Sequence, residues 1–266
     1  MSNGRRWLLL RYDVESTDAG AMAGFLARLT EVHRAHDLPV TLFCTGSALE
    51  ARENAFRAFR VETAADPRFD VGDHSYSHIG IGYERGAPVS KLRADYERSF
   101  DAHERILRVR PDAISICGTG GKDGERLTGF DATPKAREEF AMLVELGIRR
   151  VNAFLTGVEE SREFTDYEAL GFPEVVGFPS GFSDTSWLWR ADKTGDFLAP
   201  LRAEIDRRAA ENAPLPLICH DWVAWNHAPD RALSHVVRLA EYARERGYVP
   251  YTHREAVRLW REGTKE

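Results

Sequence analysis

A chain of 266 residues, 43% hydrophobic and 29% charged, is long enough to bury a sizeable core and too evenly mixed for extended disorder or collagen-like repetition. Its formal net charge of -6 argues against a nucleic-acid binder, which carries a dense basic face to replace counterions along the phosphates. The apolar run Trp7 to Leu10 is cut by Arg11 and Asp13, too short for a secretory core or a membrane span, so the chain is expected in the cytoplasm with no transmembrane segment. Three cysteines, Cys44, Cys117 and Cys219, are odd in number and lack C-x-x-C spacing, which fits reduced, buried thiols.

Trp7 to Asp13 has the pattern of a strand buried on both faces, with Asp13 at its C-terminal end. Met22, Phe25, Leu26, Leu29 and Val32 have helical spacing between Ala19 and His36. A second strand follows as Val40 to Cys44, then a helix from Ala48 towards Ala64 with Gly46-Ser47 as its N-cap, and a third strand from Phe69 to Asp73. A helix from about Ser90 to Leu107 precedes strand four, Ala113 to Cys117. Gly118 to Thr133 reads as a loop, and its glycine-rich start contains Lys122 but no G-K-[ST] ending, so a lid or ligand-contacting loop is expected rather than a phosphate grip. A helix from Pro134 to Leu146 leads to strand five, Arg149 to Leu155, and Glu174 to Phe178 is a sixth strand. A helix over Phe197 to Ala210 and a strand over Leu215 to His220 follow. The end reads as a helix from about Asp230 to Arg246, a short strand Tyr248 to Tyr251 and a last helix to about Arg261. Seven or eight alternations with short connections predict parallel βα units, and hence a single-domain α/β protein over 1–266, a distorted (β/α) barrel with seven or eight parallel strands.

Three polar clusters fall at predicted strand ends: Arg11-Tyr12-Asp13-Val14-Glu15, Asp73-His74-Ser75-Tyr76-Ser77-His78, and Cys219-His220-Asp221-Trp222. In an α/β barrel those ends open on one face, so the clusters are expected to converge. His74 and His78, four apart, share a helix face if their segment turns helically, which makes half of a metal site. Along an extended strand Arg11, Asp13 and Glu15 point to one side and bring two carboxylates and a guanidinium to the same place. Trp187, Trp189, Trp222 and Trp225 are expected as apolar walls for a ring, with His227 as a further candidate histidine.

The order of an Asp-bearing first strand, then His74-Ser75-x-x-His78, then a late apolar strand ending in His220 resembles the polysaccharide deacetylases of carbohydrate esterase family 4, which share the NodB homology domain. Val40-Thr41-Leu42-Phe43 with Gly46, Leu146-Gly147, and Gly247-Tyr248-Val249 with Thr252 are similar to further family segments. The resemblance implies a distorted barrel of the polysaccharide deacetylase type and metal-assisted amide hydrolysis. A divalent metal, zinc by this ligand chemistry, would be held by His74, His78 and a carboxylate and would activate a water, with Asp13 as base and His220 as the acid for the departing amine. The implied substrate is a small-molecule or lipid-linked amino sugar bearing an acetyl or formyl group.

Two departures keep alternatives open. The family's T-F-D-D-G motif has Val14 at its second carboxylate, so either Glu15 is the third ligand or Asp13 binds metal; the Arg11-x-Asp13-Val14-Glu15 pattern looks more like the deformylase branch, whose first strand reads R-x-D-V-D. The family's R-x-P-x-G stretch corresponds to Ile114-Ser115-Ile116-Cys117-Gly118, which has no arginine; Arg11 either orients Asp13 in its place or forms a structural ion pair. Asp184 with Trp187 resembles the segment that orients the acid histidine, and Asp221 is a competing partner for His220. Asp73, Cys117 and Trp222 are expected beside the ligands or the substrate. A metal-free hydrolase of cyclic amides or imides, of the allantoinase type, and an inert ligand-binding barrel are the rival readings.

Overall fold

The computed structural model describes residues 6–82, 86–117, 130, 133–152, 163–189 and 196–263. Within them lie nine strands: β1 (Trp7–Val14), β2 (Val40–Cys44), β3 (Phe69–Asp73), β4 (Ala113–Ile114), β5 (Arg150–Val151), β6 (Thr165–Tyr167), β7 (Phe172–Gly177), β8 (Leu215–His220) and β9 (Val249–Tyr251). They form one sheet in the order β6-β7-β5-β4-β3-β2-β1-β8, with β9 added beside Trp7 to Leu9 of β1. Every pairing is parallel except β6 with β7, as expected for βα units. Beyond β7 the chain comes back alongside β8 through one parallel bridge, Ser183 to Ile218, which joins the two ends of the sheet.

The helices are α1 (Phe25–Ala35), α2 (Gly46–Ala51), α3 (Glu53–Thr63), α4 (Val89–Leu107), α5 (Pro134–Glu145), α6 (Ala199–Glu211), α7 (Asp221–Asn226), α8 (Ser234–Glu245) and α9 (His253–Gly263). No described helix is long and apolar enough to cross a membrane.

All eight residues of β1 are buried, and the two-residue period of a strand divides them. Leu8, Leu10, Tyr12 and Val14 join Leu42 of β2, Leu217 of β8 and the faces of α1 and α8 in the largest core cluster. Trp7 and Leu9 turn the other way, packing with Ala256 of α9, and Arg11 and Asp13 continue that inner row towards the C-terminal end. The same alternation puts Phe43 inside, stacked on Phe178 at 5.7 Å and facing His253 of α9 at 5.5 Å. Apolar packing thus fills the N-terminal end of the barrel, and the polar inner residues are left at the other.

Gly72 of β3 sits on this inner row, where a Cβ would lie 2.4 Å from the Phe43 ring and 3.0 Å from the Ala113 carbonyl oxygen. Gly72→Ala is therefore expected to overpack the interior and lower unfolding stability by about 1–3 kcal/mol, read as a lower urea midpoint at unchanged slope.

Several boundaries differ from the expected ones. The helix read from Ala48 to Ala64 is two helices, broken at Arg52 (φ -122, ψ 31), and its N-cap is Thr45, whose hydroxyl accepts from Ala48 N at 3.2 Å, rather than Gly46-Ser47. The break lets the Arg52 side chain turn inward to a buried acid. Strand four ends at Ile114 instead of Cys117, because Ile116 N bonds the Asn152 side chain and leaves the ladder. Antiparallel β6 and the short α7 directly after His220 were not expected; both are too short for a periodic signal. α1 starts at Phe25, six residues later than read, and α8 at Ser234, behind residues with φ above zero at Gly24 and Leu233. Of strand five, Arg150 and Val151 are present, and residues 153–155 lie outside the described residues, as do Gly118 to Gly124 with Lys122.

Candidate active site

The three polar clusters meet. His74 and His78 bring their rings to 4.9 Å, with planes at 69°, but not by the helical turn expected. The segment is irregular, and Ser75 and His78 both take φ 58, a left-handed conformation that L residues adopt at a cost. Ser75 hydroxyl and carbonyl contacts help to hold it: the Ser75 hydroxyl accepts from Ile79 N at 2.9 Å, and Ser75 O accepts from Gly46 N at 3.0 Å. Asp95 of α4 supports the same turn from outside, accepting from Tyr76 N at 2.7 Å and Ser77 N at 3.2 Å.

Glu15, one residue past β1, reaches into the centre. Its Oε1 lies 3.2 Å from His74 Nε2, 3.1 Å from His78 Nε2 and 3.7 Å from His220 Nε2. Burial would raise the Glu15 carboxyl, yet the hydrogen bonds to His74 and His78 and the electrostatic influence of the imidazoles hold it well below the ordinary carboxylate range. Burial also opposes charge on His78, and Glu15 outweighs it and raises the imidazole. Val14 faces the opposite way, fully buried against the helices, so strand alternation alone excludes it from the site. His74 Nδ1 donates to Ser115 O at 2.8 Å, which orients the ring and leaves Nε2 to the centre.

Asp13 lies deeper on the same inner row. Its Oδ2 accepts from Arg11 Nη2 and from Ser115 Oγ, both at 3.2 Å, while buried Oδ1 has no partner among the described residues. Arg11 and Asp13 thus form a buried ion pair on the inner row. Ser115 was not singled out in the sequence, although it serves both Asp13 and His74; a serine in an apolar strand carries no signal by itself.

His220 has two candidate partners in sequence, and Asp184 holds it. His220 Nδ1 and backbone N each lie 2.7 Å from the two Asp184 oxygens, and Asp184 is fully buried. Burial disfavours charge on His220, but the Asp184 hydrogen bond and charge, with Glu15 and Asp13, raise it to about 9. Asp221 instead faces the other way and accepts from Glu15 N at 3.0 Å, Ser16 N at 3.3 Å and Arg52 Nη2 at 2.9 Å.

The remaining expected residues divide. Cys117 is beside His74, its thiol donating to His74 O at 3.0 Å, and its Sγ with one ring nitrogen from each of His74 and His78 forms a set within 4.8 Å. Burial keeps that thiol well above its ordinary pKa, so Glu15 is the ionised donor of the two. Asp73 points away from His74, buried beside Ser99 of α4, as neighbours on a strand must. Trp187 and Trp225 are not site walls: Trp187 is buried against His235 of α8, and Trp225 packs edge-on to Phe25. Trp222 is at the site, its Nε1 donating to Glu15 Oε2 at 3.1 Å, and Trp189 (45% exposed) and His227 stand edge-on to its ring at 5.4 Å and 5.7 Å. All three cysteines are free and buried.

No protein-family profile matches the chain, and no curated protein matches it in sequence. Solved structures match it closely in fold. A protein described as a polysaccharide deacetylase from Mycobacterium smegmatis superposes with a TM-score of 0.71 at 14% identity, over 99% of this chain and 93% of that one. The allantoinase PuuE gives 0.68 at 17% identity, over 98% and 92%. A pseudoenzyme of carbohydrate esterase family 4 from Bacillus anthracis gives 0.56 at 13% identity, over 94% and 65%. The mostly parallel α/β fold is therefore the one this polysaccharide deacetylase, the pseudoenzyme and the allantoinase share.

Proposed function

We propose, from this shared polysaccharide deacetylase fold, that the chain is a metal-dependent hydrolase that removes an N-acyl group, acetyl or formyl, from an amino sugar or sugar conjugate. The observation that carries it is the placing of Glu15 Oε1 among the Nε2 atoms of His74, His78 and His220. Two imidazole nitrogens, which ligate when deprotonated, and one ionised carboxylate are the donor set a zinc-like divalent cation takes with a position left open. His74, His78 and Glu15 would hold it, and when bound it would polarise the amide carbonyl and acidify the attacking water.

The other roles belong to the chain's own groups. Asp13, fixed through Oδ2 by Arg11 and Ser115, offers Oδ1 as the acceptor of the water proton. His220, kept protonated and aimed by Asp184, donates to the nitrogen of the departing amine, which cannot leave as an anion. Trp222, Trp189 and His227 supply an aromatic edge on which a sugar face can rest. Buried free thiols fit a cytoplasmic site of action, where the substrate would be a soluble or lipid-linked amino sugar.

The test is release of free amine from N-acetyl and N-formyl amino sugars by protein loaded with zinc, cobalt or manganese. His220→Asn is expected to lower kcat by roughly 10²–10⁴-fold while bound metal stays at the wild-type level. Turnover of a cyclic imide by chelator-treated protein, with no amine from any N-acyl sugar, would favour the allantoinase-like reading that the PuuE likeness and Val14 keep in play.

A further inference from the structure

Glu15 stands in for a carboxylate that Val14 does not provide, and it does so with a longer side chain. Glutamate has one more rotatable bond than aspartate, so an unsupported Glu15 would lose more rotamer freedom on binding and would present either oxygen or both. The chain around it removes that freedom. Asp221 Oδ1 takes Glu15 N, Ser16 N and, at 2.9 Å, Trp222 N, so one buried carboxylate oxygen gathers the turn after β1 and the start of α7. Arg52, 5% exposed and turned inward at the break between α2 and α3, donates to the other oxygen, Oδ2, at 2.9 Å. Trp222 Nε1 then donates to Glu15 Oε2 at 3.1 Å, which leaves Oε1 as the oxygen facing the imidazoles.

We infer that Arg52, Asp221 and Trp222 are positioning residues that act through Glu15: the Arg52–Asp221 pair fixes its backbone, and the Trp222 indole engages Oε2 so that Glu15 presents a single oxygen to a cation. This rests on the metal-site reading above. The arrangement is coherent in sequence as well, since Asp221 and Trp222 directly follow His220, so the strand that delivers the acid also delivers the support for the carboxylate. Partners of this kind that orient a ligand change metal affinity by about 10–100-fold when removed.

The experiment is a metal titration of the full chain against a competing chelator, with Zn2+ for affinity and Co2+ for its visible spectrum. Trp222→Phe keeps an aromatic ring and removes the donor; it is expected to weaken Zn2+ about 10–100-fold and to change the Co2+ band as Oε2 is released. In a Glu15→Ala background the same substitution should have no further effect on affinity, whereas a merely structural Trp222 would cost as much in both backgrounds. Equal weakening in both backgrounds, or Trp222→Phe binding Zn2+ as tightly as wild type with the same Co2+ band, overturns the inference. Wild-type protein that takes up neither ion overturns the metal-site reading itself, a different result from a wild type that binds and a variant that is unaffected.

Discussion

His74→Ala is expected to strip the bound cation and to lower kcat/KM by on the order of 10³-fold or more, because the charge stabilisation a metal supplies is worth several kcal/mol and each ~1.4 kcal/mol is a factor of ten. His74 is the least replaceable of the donors. Its ring is buried, aimed through Nδ1 at Ser115 O, and within 3.2 Å of Glu15, so alanine removes a donor that the fold holds in place. The measurement is elemental analysis of untagged protein, wild type and variant side by side, followed by amine release. Near-stoichiometric metal lost together with activity is the expected pair of results. Activity that survives in metal-free His74→Ala would end the metallohydrolase reading. The contrast with His220→Asn, which should keep metal and lose turnover, separates loss of a ligand from loss of an acid.

The second large effect is on stability in mild acid. His33, His103 and His235 are buried, and burial pulls each imidazole down to about 4. The unfolded chain, with an ordinary value near 6.5, binds more protons than the folded one between those limits, so the stability these residues allow is present above pH ~6.5 and is lost as the pH falls towards 4. At pH 5 each withdraws about 2 kcal/mol by this linkage. Carboxyls that burial raises, Asp73 and Asp184 among them, act in the opposite direction, so the diagnostic is a difference between proteins. His235 gives the clearest one: neither ring nitrogen has a hydrogen-bond partner among the described residues, and its ring lies against Trp187. His235→Leu should gain on wild type by about 2 kcal/mol more at pH 5 than at pH 7 in urea unfolding. Parallel pH profiles for the two proteins would show that His235 is not the group being titrated.

The strands that build the site were the most legible part of the chain. β2, β3 and β8 coincide with the strands read from the sequence, and in β2 and β8 a strand buried on both faces writes itself as a nearly continuous apolar run. The convergence of Asp13, Glu15, His74, His78 and His220 followed from those ends alone. Choosing between Asp184 and Asp221 did not, since both are near enough in sequence or motif and only the Ser183–Ile218 bridge brings Asp184 to His220. The aromatic residues were equally ambiguous: a tryptophan reads the same whether it packs on Phe25, as Trp225 does, or meets Glu15, as Trp222 does. The His74–His78 spacing suggested a helix, and two left-handed residues achieve the same approach, a solution with no periodic trace.

The turn after β1 depends on a carboxylate 206 residues further along the chain, since Glu15 N is held by Asp221. During synthesis the two histidines emerge early and β1 earlier still, but the Glu15 turn stays unsupported until β8 and α7 have left the ribosome and paired with β1. Contacts of such separation form late in folding. On the proposed metal-site reading, the imidazole pair would come first, and the third donor would be held only once β8 and α7 have paired with β1. Under that same reading, ion selection would then be set by the finished fold rather than by the nascent chain.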